Sequence, residues 1–154
     1  MSLTPGQPAP PFALTDDSGT LRSLADFAGK TLVLYFYPKD DTPGCTTEAQ
    51  NFRDLHAQFN SQNAEVVGVS ADSVASHQKF KAKYGLTFPL LSDPDKKMLE
   101  AYGAWGEKNM YGKKSMGIIR STVVVGPDGN VVKVYPKVKV AGHADAVLTS
   151  CRLG

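Results

Sequence analysis

Apolar side chains in this chain fall into two rhythms, and their alternation predicts most of the fold. Thr31 to Tyr37 is a near-continuous β-branched and aromatic run that stops at Pro38, the pattern of a strand buried on both faces. Glu65 to Ser70 (EVVGVS) repeats that pattern. Between them Cys45, Ala49, Phe52, Leu55 and Phe59 recur at helical spacing through about Asn60, which predicts a helix with one apolar face. Val74 to Tyr84 predicts a second helix, ended by Gly85 at the C′ position. Lys96 to Tyr102, closed by Gly103, predicts a third, and His143 to Cys151 a terminal one. Phe88 to Leu91 is a short strand. Ser121 to Val125 and Val131 to Tyr135 flank Gly126-Pro127-Asp128-Gly129-Asn130, a hairpin signal. Upstream, Pro5, Pro8, Pro10 and Pro11 predict an extended arm, and Asp16-Asp17-Ser18-Gly19 a turn. Residues 106–117 read as a Gly-rich loop.

Strands alternating with helices, then a hairpin and a last helix, give an α/β domain: a mixed central sheet flanked by helices, with an N-terminal extension. The order β-α-β-α-β-α-β-β-α is compatible with an elaborated thioredoxin-like fold. At 154 residues the chain fits one domain, 1–154, large enough to fold without a metal or disulfide staple.

Composition narrows the function by exclusion. Apolar and charged fractions of 42% and 21% argue against a disordered or fibrous chain. A net charge of +2 is too small to imply nucleic acid. The longest apolar run, Leu32 to Tyr37, is six residues, whereas a membrane span needs ~20. Met1-Ser2-Leu3-Thr4-Pro5-Gly6 has neither a basic patch nor an apolar core, so no secretory signal is expected. Two cysteines 106 positions apart make no disulfide framework. The expectation is a cytoplasmic protein whose cysteines are thiols, any function of which comes from reactivity.

The informative stretch is Pro38-Lys39-Asp40-Asp41-Thr42-Pro43-Gly44-Cys45-Thr46-Thr47-Glu48, where a buried strand gives way to a helix. Thr42 is a preferred N-cap residue and Pro43 then falls at N1. That register puts Cys45 at N3, among unpaired N–H groups and the positive end of the helix dipole. A thiol so placed gives up its proton more readily than a free one, which makes Cys45 a thiolate candidate rather than a core cysteine. Dithiol exchange needs Cys-x-x-Cys, and the partner position holds Glu48. A hydrolase needs a base, and His56, His77 and His143 have no motif relation to Cys45. A thiolate with neither suits a substrate that asks for little proton abstraction, and peroxides fit.

Pro38-x-x-x-Thr42-x-x-Cys45 resembles the active-site motif of peroxiredoxins, and YFYPKDDTPGCTTEA is similar to the bacterioferritin comigratory protein (PrxQ) subfamily. The likeness extends through the Pro-rich arm, FPLLSDPDKK, and Arg120-Ser121-Thr122 leading into VVVGPDGNVV. It implies a thioredoxin-like fold and reduction of hydrogen peroxide and alkyl hydroperoxides. Cys45 would be the nucleophile that becomes a sulfenic acid, and Thr42 would offer its hydroxyl to the peroxide or the thiolate. Pro38 would shield the pocket, and Arg120 would hold the thiolate ionised and polarise the O–O bond. Glu48 would orient Arg120 or the loop. The implied partners are a hydroperoxide and thioredoxin or another thiol reductant, with no cofactor, metal, nucleic acid or membrane, and a monomer is expected.

The departure lies in the second thiol. Relatives carry a resolving cysteine five positions after the first, here Gln50, or in the next helix, where Phe80-Lys81-Ala82-Lys83 has none. Cys151 is the only other candidate, and nothing steers it to the Thr42–Cys45 turn, so the expectation is a one-cysteine cycle resolved by an external thiol. A two-cysteine cycle through Cys151, and a peroxide-sensing switch or binding module, are the alternatives. Gly29-Lys30-Thr31 is not a phosphate loop, because position 24 is Leu24 and a strand follows. The histidines and cysteines show no zinc spacing. Lys108, Lys113 and Lys114 read as a solvated face. Tyr35, Tyr37, Phe52 and Phe59 read as core, and Trp105 as a loop residue that either closes over the pocket or packs.

Overall fold

The structure is a computed structural model describing residues 3–153, so Met1 and Ser2 of the opening stretch, and Gly154, lie outside the described residues. In chain order the elements are β1 (Ala13–Thr15), β2 (Leu21–Ser23), a 3-10 turn (Leu24–Phe27), β3 (Thr31–Phe36), α1 (Pro43–Ser61), β4 (Ala64–Ser70), α2 (Val74–Tyr84), β5 (Leu90–Ser92), α3 (Lys97–Ala101), β6 (Trp105–Met110), β7 (Lys113–Ile118), β8 (Ser121–Val125), β9 (Val131–Tyr135) and α4 (His143–Leu153). Five strands form the central sheet in the order β5-β4-β3-β8-β9. β3, β4 and β5 run parallel, which requires crossovers, and α1 and α2 supply them. β8 returns antiparallel beside β3 and β9 beside β8. This is the mixed thioredoxin-like sheet that the pattern predicts.

Burial on both faces explains why β3 shows no polar alternation. Leu32, Leu34 and Phe36 enter one apolar cluster with Phe12, Phe27, Leu99, Tyr102 and Val123. Val33, Tyr35 and Tyr37 enter the other, with Phe52, Phe59, Phe80, Val147 and Cys45. Side chains alternate across a strand, so each face is apolar for its own partner layer. Gly68 in β4 has a packing role: a Cβ there would lie 2.9 Å from Tyr35 and Leu90. Its absence seats the Tyr35 ring, which stacks on Phe52 with centroids 4.7 Å apart.

Two hairpins depart from the sequence expectation. β1 and β2 pair across the Asp16–Gly19 turn, strands of three residues too short to carry a period. The second is the pair β6 and β7, over the segment read as a loop. Glycines at 106 and 117 and an exposed, charged β7 erase the alternation that marks a strand. Its turn, Tyr111-Gly112, takes positive φ at both positions, 54° and 78°, the conformation of a tight hairpin turn. Trp105 therefore stands on β6 and packs against the cluster on the face opposite Cys45. The Lys96 ammonium lies over its ring at 5.2 Å. Among the described residues no helix is long and apolar enough to cross a membrane.

Candidate active site

Topology brings the predicted residues together. β3 ends at Phe36, and the loop that follows leads directly into α1. β8 begins beside that point, because Phe36 pairs with Ser121. Arg120, one residue earlier, thus arrives at the N-terminus of α1, 75 positions from Cys45 in sequence. Its backbone is fixed by the bond from the Val138 N–H to its carbonyl, 2.9 Å.

The helix starts as the cap residues predict. Thr42 is the N-cap in an extended conformation, with φ −107° and ψ 155°, and Pro43 is N1, so Cys45 is N3. The Thr42 carbonyl accepts from the Thr46 N–H at 2.8 Å. Its hydroxyl is placed differently from expectation. Oγ1 makes no cap bond and instead donates to the Lys39 carbonyl at 2.8 Å. The hydroxyl proton is thereby committed, while both lone pairs stay available to a donor such as the O–H of a hydroperoxide. Pro38, half-buried, opens the loop.

Cys45 is 1% exposed and in direct contact with Arg120, whose Nη2 donates to Sγ at 3.2 Å. Nη1 of the same guanidinium donates to Glu48 Oε1 at 2.7 Å. Residues three apart share a helix face, so Cys45 and Glu48 present their acceptor atoms to one planar fork. Burial works against the Arg120 charge, but Glu48 and Cys45 outweigh it and hold the guanidinium's proton more tightly than usual. Burial pushes the Glu48 carboxyl up to about 7 against the pull of Arg120. Its Oε2 has no hydrogen-bond partner among the described residues. Behind the site, burial and the Arg120 charge push His143 down to about 4, so the ring is neutral and shares a 2.8 Å hydrogen bond with Thr122 Oγ1.

Two contributors escaped the sequence reading. Gly44 lies under Arg120, and a Cβ there would sit 3.2 Å from Nη2. A glycine in the first turn of a helix costs helix propensity, and that cost was the available signal of a close approach. Lys108 is half-buried rather than on a solvated face. Its stem crosses Gly117, where a Cβ would lie 3.2 Å from Lys108 Cδ. Burial and the Arg120 charge lower its affinity for a proton, with Cys45 pulling the other way. The hairpin β6–β7 thus brings a second cation towards the thiol.

Cys151 is not brought to the site. Its neighbour Arg152 bonds Gln58 Oε1 at 2.9 Å, which places the end of α4 beside the later turns of α1. Gln58 stands thirteen positions beyond Cys45 on α1, about 20 Å along the axis at 1.5 Å per residue. A disulfide requires Cα atoms within ~7 Å. Burial also raises the Cys151 thiol, which keeps it protonated. Among the described residues one trio of ligand-type atoms comes together, on Asp40, Asp72 and His77 within 4.8 Å. Its members are bonded to one another: His77 Nδ1 lies 2.7 Å from Asp40 Oδ2, and the Asp40 N–H donates to Asp72 Oδ2 at 2.8 Å.

Comparison with known proteins gives the family. A sequence model described as the AhpC/TSA family matches residues 5–134. A protein of Coxiella burnetii named putative peroxiredoxin Bcp is 51% identical over 148 residues, covering 96% of this chain and 98% of that one. Among solved structures, a mutant of Xylella fastidiosa PrxQ superposes with a TM-score of 0.94 at 42% identity, over 99% of this chain and 98% of its own. Xanthomonas campestris bacterioferritin comigratory protein, described for its alkyl peroxide reduction activity, superposes at 0.88 with 50% identity, over 92% and 90%.

Proposed function

Because the chain belongs to the AhpC/TSA family and is a thiol peroxidase of the Bcp, or PrxQ, kind, we propose that Cys45 is its peroxidatic nucleophile in a one-cysteine cycle. The Cys45 thiolate attacks the terminal oxygen of a hydroperoxide, the O–O bond breaks, and the electron pair leaves on the alkoxide or hydroxide. Sulfur is oxidised to the sulfenic acid and the peroxide is reduced to an alcohol or water. Arg120 Nη2, already 3.2 Å from the sulfur, serves the thiolate first and the charge developing on the leaving oxygen next. A donor fixed in advance stabilises that charge without reorganisation. Glu48 holds the guanidinium in register through Nη1. Thr42, its hydroxyl proton tied to Lys39, accepts a hydrogen bond from the hydroperoxide O–H and so orients the O–O bond, while Pro38 screens the pocket from water.

The contact between Arg120 and Cys45 is the observation that carries this reading. An external thiol then attacks the sulfenic sulfur, releasing water and forming a mixed disulfide. A second thiol equivalent breaks that bond and returns Cys45 as a thiol. Thioredoxin is the reductant this reading favours, and alkyl hydroperoxides stand beside hydrogen peroxide as substrates, in keeping with the activity described for the Xanthomonas relative. The distance from Cys45 to the end of α4 supports an external thiol over Cys151. The reading is tested by steady-state peroxide consumption with thioredoxin and its reductase. Multiple turnovers that vanish in Cys45→Ser support it. A single stoichiometric oxidation without turnover favours a redox switch.

A further inference from the structure

The Pro38–Thr42 loop is held by a buried Asp40–His77 contact that the reaction itself does not use. His77, on α2, is 0% exposed, and both ring nitrogens face acceptors. Nδ1 lies 2.7 Å from Asp40 Oδ2, and Nε2 lies 2.9 Å from the Leu91 carbonyl on β5. A neutral imidazole has one N–H and would turn a lone pair on one of those oxygens. Asp40 accepts from Tyr37 Oη at 2.6 Å on one oxygen and from Ser76 Oγ at 2.8 Å on the oxygen that faces His77. The Leu91 carbonyl can only accept, so Nε2 carries one proton. With a carboxylate oxygen facing Nδ1, the ring carries a second. Asp72 locks the same loop from the other side by accepting from the Asp40 N–H at 2.8 Å.

We propose that His77 is a positioning residue: as a buried imidazolium it ties the Pro38–Thr42 loop to α2 and β5 through Asp40, and so sets Thr42 and the first turn of α1 around Cys45. This rests on the assignment of Cys45 as the nucleophile. The groups facing His77 are Tyr37 at the end of β3, Asp40 in the loop after it, and Asp72 in the loop after β4. β5 offers the Leu91 carbonyl, and Asp17 beside β5 is taken by Lys81 and the Leu90 N–H. Burial disfavours the imidazolium, but the bond and charge of Asp40, the Leu91 carbonyl and the Asp72 charge outweigh it and raise the ring's proton affinity. Losing that proton as pH rises breaks one of its two bonds and frees the loop. Displacing a reacting group by ~1 Å costs up to about 100-fold in rate.

The experiment pairs two measurements from pH 6 to pH 10 on the full chain. Ring ¹⁵N shifts report His77 protonation, and quenched-flow intact mass reports the rate at which hydrogen peroxide oxidises Cys45. The expected result is a His77 ring protonated on both nitrogens at pH 7. The oxidation rate then falls on the order of 10- to 100-fold through the pH at which that ring titrates, and His77→Gln shows no such limb. A singly protonated ring at pH 7, a rate that stays flat through the His77 titration, or a limb that survives in His77→Gln overturns the proposal. If His77→Gln does not fold, the coincidence of ring titration and rate loss in wild type decides alone. If wild-type Cys45 is not oxidised at any pH, the peroxidase reading fails instead, and the rate of iodoacetamide attack on Cys45 across the His77 titration still reads the loop.

Discussion

Replacing Glu48 with glutamine tests how the site handles its charges. Glu48 is 1% exposed, and burial lifts its carboxyl from an ordinary 4.5 to about 7, a rise equivalent to about 3 kcal/mol between its two forms. The folded state holds this proton more tightly than the unfolded chain does. There is no penalty below about pH 4.5; stability falls as pH rises from about 4.5 to 7, and the loss is complete above that. Glutamine mimics the neutral acid in shape and cannot ionise. Urea unfolding by circular dichroism, with both cysteines reduced, should find wild type and Glu48→Gln within about 1 kcal/mol of each other at pH 5. At pH 8 the variant should be the more stable by about 3 kcal/mol. Its oxidation by peroxide should nevertheless be slower, because the anchor of Nη1 is weakened and Nη2 no longer points reliably at sulfur. A variant less stable than wild type at pH 8 would refute the reasoning, since the Glu48–Arg120 pair would then outweigh the burial of the carboxylate.

Three further outcomes follow from the same geometry. Arg120→Ala removes the one side-chain donor bonded to Cys45 among the described residues, and stopped-flow oxidation should slow on the order of 10²- to 10³-fold. Gly44→Ala places a methyl 3.2 Å from Arg120 Nη2; the helix gains propensity while the guanidinium shifts, so thermal stability should hold as the oxidation rate falls. Cys151→Ser should keep near wild-type turnover, measured in steady state with thioredoxin, because the end of α4 lies far along α1 from the nucleophile.

Much of the fold and most of the site were legible because local chemistry and tertiary structure agree there. β3 announces itself through apolar residues on both faces, and the register of Cys45 follows from a cap threonine and an N1 proline. What the residues themselves hide are contacts made across the fold. Nothing around Arg120 says that β8 runs antiparallel beside β3 and delivers it to α1; only the family resemblance pointed there. The hydroxyl of Thr42 turns back three residues to the Lys39 carbonyl rather than capping the helix that its residue type suggests. The β6–β7 hairpin escaped notice because both its faces are largely exposed or glycine-lined, so no period of two survives. Lys108 was consequently read as solvated, although it lies along Gly117 and is half-buried. His77 shows no motif relation to Cys45 along the chain, and its partners lie 37 and 14 positions away.

The central claim is that Cys45 alone carries the oxidation and that no second thiol of the chain closes on it. Intact mass under non-reducing conditions, after one equivalent of hydrogen peroxide, tests both halves at once. The account predicts a gain of one oxygen, mapped to Cys45 by a dimedone-type probe and absent in Cys45→Ser. A loss of two hydrogens, with the probe excluded in wild type and admitted in Cys151→Ser, would contradict the one-cysteine cycle and make Cys151 the resolving residue. An unchanged mass with the peroxide unconsumed would contradict the role of Cys45 itself.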